Sequence, residues 1–159
     1  MRPGVRKFRS VEEADTHRRA RETRHQSLER LCRDQGLLAV YLFGSRADDG
    51  LKLLSGEPVA GEGSDIDVGI VFPEPGVDLQ ALVKLDLAFG ELFAPLRVDL
   101  VPTQRVDPLF QVRIVDGHRI FAADSTAADL YELLVFRRAA DLLPLQRARE
   151  LELFGVTTS

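Results

Sequence analysis

The chain has 159 residues, 45% of them hydrophobic and 29% charged: one domain's worth of globular protein, with enough apolar material to bury a core around a functional site. A formal charge of -4 and an isoelectric point near 5.4 argue against general nucleic-acid binding, which needs a surplus of Lys and Arg on one face to neutralise phosphates. No apolar run approaches the roughly 18 residues that cross a bilayer, and the N-terminus lacks the apolar core of a secretion signal. With a lone cysteine that has no internal partner, this points to a reducing, cytoplasmic setting without a membrane.

Residues 1–27 form a polar, Arg-rich arm, expected to be helical from about Val11 after a Ser10 cap, with too few apolar residues to define a buried face. The arm reads as a solvated helix with i,i+4 charge pairs rather than as a docking segment. From Leu28 the pattern tightens: Leu28, Leu31 and Cys32 fall at helical spacing, Cys32 reads as a small buried apolar residue, and Gly36 is placed to end the helix. Residues 37–43 are nearly all apolar, which suits a strand buried on both faces. Gly44 and Ser45 follow at once. A glycine there lets the backbone approach a ligand without a Cβ in the way, and Ser45 can begin a short helix whose unpaired N–H groups favour anions. Residues 48–63, with four glycines and an apolar patch at Leu51, Leu53 and Leu54, read as a long loop or small hairpin on the rim of that turn.

Residues 65–72 form a second strand with two carboxylates at period two. Asp65 and Asp67 therefore share one face while Ile66, Val68 and Ile70 share the other. Two like charges about 7 Å apart repel unless a cation sits between them, so the pair outlines a metal site. After a turn at residues 73–76, Asp78 caps a helix to about Ala94, with Leu82, Leu85, Phe89 and Leu92 as its buried stripe and Asp86 and Glu91 in solvent. Residues 96–101 alternate, placing Val98 and Leu100 on one face and Arg97, Asp99 and Val101 on the other. An acid inside so short an apolar strand is disfavoured unless a charge compensates it, which makes Asp99 the third candidate ligand. Arg97 is placed to balance these acids or to meet a phosphate.

Asp107 and Pro108 open a helix to about Val115, ending at Gly117, and residues 119–122 are a short fourth strand. Residues 126–159 are read as C-terminal helices with Leu130, Leu133, Leu134 and Phe136 on an apolar face, bent or interrupted at Pro144. This leucine-rich end fits core packing and a second chain, identical or not, equally well. The three histidines have no spacing that would assemble a zinc set, and there is no P-loop or nucleophile elbow. Arg113 and His118 form an Arg-x4-His string like that of HEPN ribonucleases, but Gly117 inside it argues against the continuous helix such a nuclease needs.

A strand running into Gly44-Ser45-Arg46, then Ser64-Asp65-Ile66-Asp67-Val68, then Asp99 in an apolar strand resembles the nucleotidyltransferase fold of the DNA polymerase beta superfamily. More narrowly it is similar to the minimal nucleotidyltransferases (MNT), whose antitoxin members are paired with HEPN toxins. The resemblance implies an α/β (α+β) fold of one nucleotidyltransferase domain over residues 1–159: a small mixed sheet of residues 38–43, 65–72 and 96–101, flanked by helices. It further implies Asp65, Asp67 and Asp99 as catalytic ligands of two Mg²⁺ ions, and Gly44, Ser45 and Arg46 as nucleotide-binding residues. The implied reaction moves AMP from ATP to a tyrosine of a cognate HEPN toxin. A small-molecule transferase of the aminoglycoside type and a binding-only antitoxin are the alternatives. Asp48 stands where many such relatives carry a basic residue, and the segment 48–63 is longer than their usual connection.

Overall fold

The computed structural model describes residues 23–76 and 78–155, so the helix expected from Val11 lies outside the described residues. The first described helix, α1 (Arg24–Asp34), opens with a reciprocal cap: the Thr23 hydroxyl accepts from the Gln26 N–H while the Gln26 side chain accepts from the Thr23 N–H. Leu28 and Cys32 are its buried residues, and burial pushes the Cys32 thiol up to about 12, as befits an inert core residue. Gly36 ends the helix in the left-handed conformation. Strand β1 (Ala39–Phe43) is buried along its whole length.

The segment expected as a loop or hairpin is largely helical. Helix α2 spans Ala47–Leu54. Its glycine, Gly50, is buried against Leu42 rather than marking a turn, and Leu53, Leu54 and the half-buried Leu51 join the core. Only the glycine-rich stretch after it is irregular. Strand β2 (Ile66–Val71), helix α3 (Leu79–Leu92, capped by the Asp78 carboxylate) and strand β3 (Val98–Pro102) follow close to expectation. A 3₁₀ turn (Thr103–Arg105) leads to α4 (Pro108–Val115), whose Asp107 cap accepts from the N–H groups of Leu109 and Phe110. Strand β4 (His118–Ala122) then precedes α5. Within the 3₁₀ turn, the Gln104 amide bonds both the N–H and the carbonyl of Phe72, extending the β2–β3 pairing by a side chain.

The four strands form one mixed sheet in the order β3-β2-β1-β4, with β1 antiparallel to both neighbours and β2 parallel to β3. Side chains alternate between two apolar layers. Val40, Leu42, Ile66, Val68 and Ile70 pack with Leu28, Leu85 and Phe89 beneath α1, α2 and α3. Ala39, Tyr41, Phe43 and Val71 pack with Ile114, Val115, Ala128 and Val135 beneath α4 and α5.

The C-terminal region departs from expectation. Helix α5 is a single 30-residue element, Ser125–Phe154, and runs through Pro144 without interruption. The ring removes the bond to the carbonyl of Ala140, but that stretch is exposed, where water can satisfy the freed oxygen. Its buried face is Ala128, Val135 and Ala139 with the half-buried Tyr131, whereas Leu130, Leu133, Leu134 and Phe136 are exposed. Polar contacts explain the rotation: the Tyr41 hydroxyl donates to Glu132 at 2.6 Å, and Arg119 bonds Asp129 at 2.7 Å and Glu132 at 3.1 Å. These turn the 128-131-135-139 stripe to the sheet. Among the described residues no helix is long and apolar enough to cross a membrane.

Candidate active site

Three adjacent strands bring the predicted residues together. In the sheet register Phe43 of β1 lies opposite Asp67 of β2, which in turn lies opposite Asp99 of β3. Gly44 thus emerges from β1 beside Asp67, and the two acids are cross-strand neighbours on the face that carries α4. Asp65 sits one residue before β2, exposed, at the mouth of the same row.

The turn is shaped by Gly44, which has φ +77°; a Cβ at this position would run into the Asp67 carboxylate. The backbone and the acid are therefore packed as closely as the lack of a side chain allows. Ser45 stands beside it, its hydroxyl 3.4 Å from that of Ser64. The residue that begins α2 is not Ser45: the cap position is Arg46, without a side-chain capping bond. The Arg46 guanidinium donates to Asp49 (3.0 Å), to the Ser64 carbonyl (3.0 Å) and to the Ala60 carbonyl (2.7 Å), so it fastens the loop before β2 onto α2.

Charge and burial act together on Asp67. The Asp67 carboxyl is held above its ordinary value, first by burial, then by the charges of Asp99 and Asp65, with Arg113 pulling the other way. Among the described residues, no hydrogen bond or ion pair engages the carboxylates of Asp65, Asp67 or Asp99. Nor do three or more Asp, Glu, His or Cys side chains among those residues close on a point as a finished metal cage. Like charges stand apart when nothing positive lies between them, and the donor chemistry still fits a hard divalent cation: carboxylate oxygens, uncommitted, on neighbouring strands beside a backbone turn.

Beside this row lies a cavity of about 360 Å³ whose lining includes Gly44, Ser45, Asp48, Arg113, Asp116 and His118. Asp48 and His118 meet at 3.1 Å across it. Arg113 and His118 are site residues that sequence reasoning did not select. Their one signal was the Arg-x4-His string, set aside for the nuclease it resembles. Arg97, by contrast, is exposed and lines no part of this cavity.

The strand order and the elements around this site can be set beside known proteins. The family model "Polymerase beta, Nucleotidyltransferase" matches residues 26–126. No curated protein matches the sequence. Similar solved structures include a mutant MntA–HpeT toxin–antitoxin, at TM-score 0.59 and 18% identity over 78% of this chain and 93% of that one. A toxin–antitoxin with AMP-PNP is similar at TM-score 0.57 and 20% identity, over 78% and 93%. A tri-AMPylated Shewanella oneidensis HEPN toxin in complex with MNT antitoxin is similar at TM-score 0.57 and 18% identity, over 79% and 91%. At these identities the structures establish the fold, while the family match spans well over half of the chain: it belongs to the polymerase beta nucleotidyltransferase family.

Proposed function

We propose that the chain is a Mg²⁺-dependent transferase that moves AMP from ATP to a tyrosine hydroxyl of a HEPN toxin, acting as its antitoxin. The observation that carries this reading is the register Phe43–Asp67–Asp99 across three neighbouring strands, which lays the Gly44 turn, a half-buried acid and an exposed acid in one row. The similarity to a tri-AMPylated HEPN toxin in complex with MNT antitoxin, and to a toxin–antitoxin with AMP-PNP, supports the choice of donor and acceptor.

The row suggests a direction for the reaction. The Gly44–Ser45 turn holds the β- and γ-phosphates, because backbone N–H groups with no intervening side chain can approach the oxygens closely. The α-phosphorus then lies toward Asp67, and the acceptor hydroxyl comes in over Asp99, which is exposed on edge strand β3 and open to a residue carried on another protein. The hydroxyl oxygen bonds to the α-phosphorus as the α–β bridge bond breaks, pyrophosphate leaves with the bond's electron pair, and the Asp99 carboxylate takes the hydroxyl proton. Magnesium bound by Asp65, Asp67 and Asp99 would neutralise the phosphate charge and make the hydroxyl more acidic.

The test is incubation of the purified protein with labelled ATP, Mg²⁺ and a HEPN toxin encoded beside it. Label on a toxin tyrosine, lost in Asp99→Asn, is the expected result. Label only on small molecules, or a stable unlabelled complex, would replace this reading by one of its alternatives.

A further inference from the structure

The phosphates of the donor need a positive partner, and the residue the resemblance offered for it, Arg46, is otherwise engaged. We infer that Arg113 is the residue that recognises the donor's polyphosphate, binding the β- and γ-phosphates in the cavity it shares with the Gly44–Ser45 turn. This rests on the nucleotide reading of that cavity given above.

Four observations assign the role. Arg113 lines the cavity together with Gly44 and Ser45. Its guanidinium makes no hydrogen bond or ion pair among the described residues, leaving its donors for a ligand. Its placement is nonetheless defined: it lies 5.6 Å from the centroid of the Phe110 ring, and Phe110 in turn meets Phe43 edge-on at 5.9 Å. Phe43 immediately precedes Gly44, so the cation and the phosphate turn are tied to the same aromatic pair. Finally, the other charged groups of the lining cannot do this work. Asp48 and Asp116 repel an anion, and His118 is engaged by Asp48. Without Arg113 the lining would disfavour a polyphosphate outright.

Arg113 also explains how the acids tolerate one another before ligand arrives, since its charge opposes those of Asp65 and Asp99 at Asp67. A planar guanidinium with five donors suits this double duty, because it acts on the acids by charge alone while its donors stay available for phosphate oxygens.

The experiment measures binding of an ATP analogue that cannot be transferred, in Mg²⁺, to the wild type, Arg113→Gln and Arg113→Lys. A charge-assisted contact of this kind predicts affinity weaker by about tenfold or more in Arg113→Gln and by a smaller factor in Arg113→Lys, which keeps the charge but not the planar fork. Equal affinity in wild type and Arg113→Gln would overturn the assignment while leaving the nucleotide reading intact. Equal losses in both variants would overturn it too, because a packing role does not distinguish a retained charge. If the wild type itself binds no ATP analogue, the nucleotide reading and this assignment fall together.

Discussion

Replacing Gly44 by alanine asks more of the site than of the fold, and the two costs can be separated. The backbone there has φ +77°, where an L-residue is disfavoured by roughly 1–2 kcal/mol. For a domain of this size that lowers the melting temperature by roughly 2–8 °C, a loss the fold survives. The added Cβ also falls on the Asp67 carboxylate, well inside the 3.0 Å that real Cβ atoms keep, so the acid must retreat. A retreat on the order of 1 Å at a reacting centre costs about 100-fold in rate. Transfer of labelled AMP by Gly44→Ala should therefore fall about 100-fold, with the drop carried by turnover and the protein still folded by circular dichroism. Turnover within about threefold of wild type would refute the claim that turn and acid are interlocked.

The pH dependence of stability offers an independent check on the same acid. Because the folded protein holds the Asp67 proton more tightly than the unfolded chain does, the stability this proton confers is fully present below the ordinary carboxylate value. It is lost as the pH rises through the raised one. Asp67→Asn, which keeps the shape without the charge, should melt above wild type at about pH 7, converge with it near about pH 3, and transfer nothing. A variant that melts below wild type at neutral pH would show that Asp67 is stabilised by its neighbours rather than strained by them. Gly69 of β2 tests how α4 is seated: an added Cβ would strike Ile114 and come within 3.2 Å of the Thr103 hydroxyl. Gly69→Ala should cost about 1–3 kcal/mol in denaturant unfolding and, by lifting the helix that carries Arg113, weaken ATP binding as well. Unfolding unchanged from wild type would mean that α4 does not rest on β2 at that point.

The site's acids were legible in the sequence because strand geometry is strict. Period two puts Asp67 opposite to Ile66 and Val68, and the same rule puts Asp99 opposite to Val98 and Leu100. Once the two strands pair in register, the acids have no choice of face. What the sequence did not show was the pairing of the turn with α4. Arg113 lies on an element of its own, brought to Gly44 by Phe110 on Phe43 and by Ile114 over Gly69, contacts between residues far apart in the chain. Helix α2 was obscured for a related reason: Gly50 looks like a breaker in one dimension, and becomes a close-packing position only when Leu42 lies beneath it.

Helix α5 shows where hydrophobic periodicity reaches its limit. Leu130, Leu133, Leu134 and Phe136 are larger and more apolar than Ala128, Val135 and Ala139, so area alone would turn them inward. The opposite rotation is taken because α5 also carries Glu132 and Asp129, and beneath it lie Tyr41, whose side chain is fully buried, and Arg119. Rotating the leucines inward would strand the Tyr41 hydroxyl without an acceptor inside the core, at a cost of about 1–3 kcal/mol, and would break the Arg119 pairs at the same time. Small residues on the buried stripe also let the helix sit close enough for that 2.6 Å bond to form. A rule that weighs apolar size alone cannot see this, because the deciding donor sits ninety-one positions earlier in the chain.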